Sequence, residues 1–155
     1  MNARECLMQS LNIRVRMRYL QERIDKLESE LGYHPKQLDN TGASHLNYRE
    51  DKFAEKMAEI ADIKTEYLEE LEALERKNES LQSLIKVLRN PDFREVLTER
   101  YIKENKKYYY RLNPWENIAI EMNLGKNGVN AVKQKHKRAL KALDNFIKTT
   151  LTDTL

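Results

Sequence analysis

Cysteine, glycine and proline are scarce in this chain of 155 residues, which has one cysteine, four glycines and three prolines. The single thiol, Cys6, cannot form an internal disulfide, which favours a reducing cytoplasm as the compartment. So few glycines and prolines exclude a low-complexity linker or a collagen-like chain. They also leave room for long, uninterrupted helices.

Long hydrophobic runs are absent as well. No stretch of about 18 apolar residues occurs, so we expect no transmembrane helix and no membrane partner. No apolar segment follows Met1 in the manner of a secretory signal. Charged residues make up 34% of the chain, a fraction that is typical of solvent-exposed helices or coiled coils.

Patterns typical of enzymes and metalloproteins are also missing. The three histidines, His34, His45 and His136, are not spaced as metal ligands. No glycine-rich phosphate loop is present, and no serine lies in the context of a nucleophile. We therefore expect a protein that is not an enzyme and that needs no metal or cofactor.

Regularly spaced aliphatic residues predict an all-α fold. A first helix is expected over residues 5–31, because its apolar residues alternate at steps of four and three, and Gly32 would end it. We expect residues 32–48 to form a loop, and the sequence does not indicate its role. Asn47 and Glu50 have the spacing of a capping box that would start a second helix. The first apolar stripe consists of Ile13, Met17, Leu20, Ile24, Leu27 and Leu31.

A longer repeat runs from Phe53 to Leu88 and predicts a helical rod of roughly 54 Å at about 1.5 Å per residue. So long a rod cannot bury its stripe against itself. We expect an intramolecular hairpin with the first helix that also self-associates as a dimer or tetramer, with the direction of pairing left open. The expected contacts between subunits are Met57, Ile60, Tyr67, Leu71, Leu74, Asn78, Leu81, Ile85 and Leu88.

Two polar residues, Lys64 and Asn78, interrupt the apolar positions of this repeat. A buried asparagine at such a position can pair across a dimer and set its register. The alternative is that each residue lies on an exposed part of the seam. The sequence leaves both interpretations open.

Asn90 and Pro91 interrupt the rod, and we place a domain boundary there. Residues 1–89 would form the coiled-coil hairpin for oligomerisation, and residues 90–155 a helix-turn-helix domain. Asn113 as the N-cap, Pro114 in the first turn and Glu116 predict one helix start. Gly125 predicts a tight turn before the last helix, which would start near Asn127. The expected apolar faces are Phe93, Val96, Leu97 and Tyr101; Trp115, Ile118, Ala119 and Met122; and Val129, Val132, His136, Leu140, Leu143 and Ile147.

The opposite face of the last helix carries amides and cations. Asparagine and glutamine can pair with adenine edges, and lysine and arginine with phosphates or guanine. From residue 126 to 148 the net charge is +6. A plain solvated basic face is the alternative. The expected base-reading residues are Asn127, Asn130, Ala131, Gln134 and Arg138, and the expected phosphate contacts are Lys107, Arg111, Lys126, Lys133, Lys137 and Lys141.

Two features near this face have simpler interpretations. His136 and Trp115 are expected to pack in the domain core. The connector 103–113 is basic and aromatic, and it either packs on the domain or contacts a phosphate backbone.

Net charge divides the chain in the same way as the helical pattern. Residues 1–48 carry +1, residues 49–88 carry −4, and residues 89–155 carry +6. An acidic rod followed by a basic unit indicates that double-stranded DNA binds at the C-terminal part.

The spacing Val96-Leu97, Arg100-Tyr101, Trp115-x-x-Ile118-Ala119-x-x-Met122, Val129-x-x-Val132 and His136-x-Arg138-Ala139-Leu140-x-x-Leu143 resembles region four of bacterial sigma factors. It is closer still to small phage regulators of the RinA and ArpU type. The resemblance covers about residues 85–145. It implies promoter binding and control of late phage genes in the cytoplasm of a bacterial host cell, with RNA polymerase as a possible contact. The connector is longer than in those regulators.

We therefore expect a sequence-specific, oligomeric transcription regulator of phage or prophage origin that acts on late-gene promoters. One alternative is a phage small terminase subunit, although there the DNA-binding unit is expected first. Another is an RNA-polymerase-binding protein that uses the acidic rod and has little DNA contact. The operator sequence and the choice between activator and repressor stay open.

Overall fold

The chain folds as an all-α protein in a computed structural model that describes residues 1–32 and 43–154. These residues contain no strand, which confirms the predicted fold class. None of their helices is long and apolar enough to cross a membrane. The α-helices formed by the described residues are α1 (Ala3–Leu31), α2 (Ala43–Ile85), α3 (Pro91–Leu97), α4 (Trp115–Glu121) and α5 (Val129–Thr154). Shorter turns are a π-helical turn at Thr98–Ile102 and 3-10 turns at Lys106–Tyr108 and Lys126–Gly128.

Several helix ends differ from the predicted ones. The start that we predicted at Asn47 is wrong, because α2 already begins at Ala43. The predicted loop 32–48 falls mostly on residues 33–42, which lie outside the described residues. At the other end α2 stops at Ile85, three residues before Leu88.

Pro91 was correctly predicted as the start of a new helix. Asn90 lies in extended backbone before it, and its side-chain oxygen accepts a hydrogen bond from the Asp92 N–H at 2.9 Å. The proline sits in the first turn, where its missing N–H costs no helical hydrogen bond.

Packing divides the chain into two compact units. One, which we call the mixed unit, combines Met1–Val15 with Ala73–Leu155, and the other, the hairpin unit, is Arg16–Glu72. The predicted boundary at residues 89 and 90 does not coincide with this division. The reason is that Ala3, Leu7 and the end of α2 share one core with the C-terminal helices.

The hairpin unit is an antiparallel pair made of parts of α1 and α2. Leu20, Ile24 and Leu31 pack on Ile60 and Ile63. Ion pairs flank this core, with Arg16 3.2 Å from Glu70 and Arg23 3.1 Å from Glu59. From one ion pair to the next, the residue number increases on α1 and decreases on α2, so the two helices run antiparallel. This part of the chain therefore confirms the predicted hairpin.

The mixed unit has the larger core. Val96 and Leu97 of α3 and Ile118 and Ala119 of α4 are fully buried, as the sequence predicted. The remaining buried apolar residues of this core are Ala3, Leu7, Leu81, Ile85, Leu88, Tyr101, Ile102, Val132, Ala139 and Leu143.

Most of the predicted subunit contacts lie inside the single chain. The exposed fraction is 6% or less for five of the nine, so these side chains cannot also face a second chain. Tyr67 and Leu71 are half-buried, and Met57 stays 47% exposed. The assignment to a subunit interface is corrected for Ile60, Leu74, Leu81, Ile85 and Leu88.

The two polar interruptions have partners on α1 of the same chain. The Ser10 hydroxyl donates a hydrogen bond to Asn78 Oδ1 at 2.7 Å, and Lys64 Nζ lies 3.1 Å from Glu28 Oε1. Ser10 is 1% exposed, so Asn78 satisfies a buried hydroxyl. Asn78 therefore contributes to the register of α1 against α2.

Replacing Asn78 by alanine should destabilise the protein, because the Ser10 hydroxyl would be left buried and unpaired. We expect a loss of about 1–2 kcal/mol in the free energy of unfolding, measured by urea titration. Asn12→Ala removes an exposed amide from α1 and serves as the control. Equal effects of the two changes would contradict this role for Asn78.

Candidate nucleic-acid interface

A tight turn joins α4 to α5. Asn123 has φ 60° and Gly125 has φ 68°, both in the left-handed region. The Leu124 N–H donates to the Ala119 carbonyl at 2.8 Å and closes the end of α4. Glycine adopts this backbone at low cost, which explains Gly125 in the predicted turn.

A second glycine in this turn is required by close packing. A Cβ atom placed on Gly128 would overlap the Cβ of Leu124. Gly128 belongs to the 3-10 turn Lys126–Gly128, so α5 proper begins two residues later than predicted. Asn127 consequently stands on this turn, just ahead of the helix.

The start of α4 is held differently from the prediction. Pro114 is the N-cap, and no side chain caps it, so the predicted cap at Asn113 is wrong. Asn113 is 6% exposed, donates to the Glu99 carbonyl at 3.1 Å and accepts from Asn117 at 2.7 Å. Its side chain thus ties α4 to the π-helical turn. The local pattern missed this because an asparagine before a helix most often caps it.

Aromatic and basic side chains join α4 and α5 behind the turn. The Arg100 guanidinium lies 3.9 Å from the centre of the Trp115 ring and donates to the Asn113 carbonyl. The Trp115 ring meets the His136 ring edge-on, with 4.8 Å between centroids. Both aromatic rings pack within the unit, as the sequence predicted. The packing fixes the position of α5 against α4.

The environment of His136 favours its neutral form. His136 Nε2 and the Tyr101 hydroxyl share a hydrogen bond at 2.7 Å. Burial, and then the positive charges of Arg100 and Arg4, lower the pKa of His136 to about 4. The imidazole therefore carries no charge at neutral pH, and the cations of this region lie on other residues.

The five predicted base-reading side chains are all exposed on one side of α5 and its preceding turn. Lys133, Lys137 and Lys141 are exposed beside them, whereas the side chain of Lys126 lies outside the described residues. A shallow depression of about 320 Å³ is lined by Gln134, Lys137, Arg138 and Lys141. The structure therefore brings together Asn127, Asn130, Ala131, Gln134 and Arg138 with the three lysines.

Lys135 is set apart from this surface. It is half-buried, and its Nζ lies 3.1 Å from Asp92 of α3. Although Lys135 adds to the net charge of α5, its ion pair with Asp92 offsets that charge within the fold.

Lys107 and Arg111 lie on the connector rather than on α5. Both are exposed, and both approach the ring of Tyr108, with Lys107 Nζ 5.5 Å and Arg111 Cζ 4.9 Å from its centre. The Asn105 side chain accepts a hydrogen bond from the Lys107 N–H at 3.0 Å and orders this turn. The connector thus presents two cations on a packed aromatic ring.

One cation near α5 was missed by the sequence analysis. Arg4 is exposed on the first turn of α1, close enough to His136 for its charge to lower the pKa of that imidazole. Residues 4 and 136 are far apart in the chain, and helical periodicity carries no signal for such a contact.

Comparison with known proteins yields no relative: no family model, curated protein or solved structure matches this chain.

Proposed function

We propose that this protein is a sequence-specific, double-stranded-DNA-binding transcription regulator. The observation that carries the proposal is the exposed face of α5, where five base-reading candidates and three lysines lie together after a tight turn. An α-helix fits the major groove, where amides and cations distinguish base pairs. The resemblance to RinA and ArpU regulators supports a phage or prophage origin and late-gene promoters as targets.

The chemistry of the face suggests a division of labour. Gln134 and Asn130 can each make paired hydrogen bonds to adenine, and Arg138 to guanine. Ala131 can contact a thymine methyl group. The three lysines would neutralise phosphates, which positions α5 and makes affinity depend on salt.

Replacing Gln134 by alanine should change which base is preferred at one position of the binding site. A bidentate contact of this kind is worth about 1–3 kcal/mol of discrimination, or roughly 5- to 150-fold in relative affinity. Selection from a random DNA pool, done with both proteins, measures the change. Identical enriched sites would argue against a base-reading role for Gln134.

Replacing Lys141 by alanine should weaken binding to every DNA sequence. The slope of log affinity against log salt should fall by about one unit, since one phosphate contact is lost. Lys86→Ala removes an exposed lysine from the turn that follows α2 and is the control. If neither Gln134→Ala nor Lys141→Ala changes DNA binding, the assignment of the interface to α5 is wrong.

We also propose that the regulator works as a dimer or higher oligomer, which would join two weak half-site contacts. Because most of the predicted interface is buried in the chain, we expect self-association to use apolar residues that remain exposed on α2. Phe53, Met57 and Leu68 are 38%, 47% and 58% exposed. Light scattering on the wild type and on Leu68→Glu tests this, and we expect the variant to lose the oligomer.

Oligomer size, taken together with tests of DNA binding and of RNA-polymerase capture, separates the alternatives. A ring of eight or more chains would favour a small terminase subunit. A monomer that binds no DNA and instead captures RNA polymerase would favour the acidic rod as the functional surface.

A further inference from the structure

The first turn of α1 packs against α5. Ala3 and Leu7 are fully buried in the same core as Ala139 and Leu143. The Ala3 N–H donates a hydrogen bond to Asp144 Oδ1 at 2.6 Å. Asp144 is the one acidic residue between positions 126 and 148, and this bond ties it to the start of α1.

Helical geometry places this contact beside the exposed lysines. His136, Leu140 and Asp144 recur at steps of four and form one row along α5. Lys133, Lys137 and Lys141 form the neighbouring row, three residues earlier at each level. The first turn of α1 contacts the row of Asp144, so it borders the row of lysines.

Arg4 is placed where a positive charge is unfavourable. It stands in the first turn of α1, near the positive end of the helix dipole. Its charge also acts on Arg100, whose pKa is lowered by burial and further by Arg4. The adjacent Glu5 accepts a hydrogen bond from the Asn2 N–H at 3.1 Å and so takes part in the cap of α1. A bound anion would relieve the repulsion at Arg4.

We propose that Arg4 contacts a DNA phosphate next to those held by the row of Lys133, Lys137 and Lys141, so that the two ends of the chain form one phosphate-binding surface. This inference rests on the proposed DNA-binding function. The phosphate belongs to the same duplex that α5 would read. Phosphates line the edges of the groove, so a cation beside the recognition helix lies next to the DNA backbone.

Arg4→Ala tests the inference in the full-length chain. Titrations of a selected site and of an unrelated duplex, repeated across salt concentrations, should show several-fold weaker binding to both. The salt slope should fall by about one unit. Arg4→Lys should keep most of the slope. Arg76→Ala changes the net charge equally, from an exposed position on α2, and should leave both affinities unchanged.

The outcomes distinguish this inference from the proposed function. If Lys141→Ala lowers the salt slope and Arg4→Ala does not, the inference is overturned and the interface on α5 stands. If neither lowers it, both fail. The temperature of thermal unfolding should be no lower for Arg4→Ala than for the wild type, because the substitution removes a cation from the positive end of a helix dipole. Proton NMR should show a higher pKa for His136, and an unchanged value would contradict the placement of Arg4.

Discussion

Replacing Leu7 by alanine should destabilise the mixed unit by about 3 kcal/mol, within the 2–5 kcal/mol typical of buried leucines. Leu7 lies at the start of the chain, yet it is fully buried in the core that holds α3, α4 and α5. Shortening the Leu7 side chain to alanine would leave a cavity among side chains from distant parts of the sequence. The loss should appear as a lower urea midpoint with an unchanged slope.

The proposed DNA binding should also fall in this variant wherever the loss of stability lowers the folded fraction, although Leu7 is fully buried and offers DNA no surface. Val15→Ala is the control, because Val15 is 48% exposed on the same helix. If Leu7→Ala has no larger effect than Val15→Ala, α1 does not belong to this core. The expected result also implies that residues 90–155 alone lack part of the core that they need.

Acidification from pH 7 to pH 4 should destabilise the protein through His136. Its pKa in the folded chain is about 4, below the value of 6.5 that an unperturbed histidine has. Between these values the unfolded chain binds a proton that the folded chain does not, so stability falls as pH falls through this window. Because His136 is half-buried, we expect a loss of about 2–3 kcal/mol rather than the full value of the shift.

His136→Gln separates this effect from the titration of carboxylates and of the other histidines. Glutamine can still form a hydrogen bond with the Tyr101 hydroxyl but does not titrate. The difference in unfolding free energy between the two proteins, measured by urea titration at several pH values, should change between pH 6.5 and 4 and stay constant above 7. A constant difference across the whole range would mean that His136 has an ordinary pKa in the folded chain.

Periodicity predicted the elements of this fold well, because it reports how each helix meets a core. The steps of three and four on α1, and the faces of α3, α4 and α5, correspond to side chains that are buried or packed on the core. Pro91 and Gly125 were reliable markers because each imposes a backbone constraint that does not depend on the rest of the chain.

Partners distant in sequence were not predictable in this way. An apolar stripe on α2 indicates burial, but it does not say whether α1, α3 or a second chain covers it. Leu81 and Ile85 were therefore assigned to a subunit interface, whereas they pack in the mixed unit. Asn113 was assigned to a cap because its partner Glu99 lies fourteen residues earlier, in a π-helical turn that no local signal announces. The candidate interface could be predicted only as far as it lies on α5, and Arg4 was missed for the same reason.

Under the proposed DNA-binding function, the close approach of Gly128 to Leu124 limits how sequence specificity can evolve. Position 128 lies between Asn127 and Asn130, among the candidates for reading bases, but any side chain there would collide with the turn. New specificities must therefore arise at the neighbouring exposed positions. Homologues that recognise different operators should differ at residues 127, 130, 131, 134 and 138 and keep a glycine at 128, unless position 124 is itself a glycine, because the overlap is with the Cβ of residue 124.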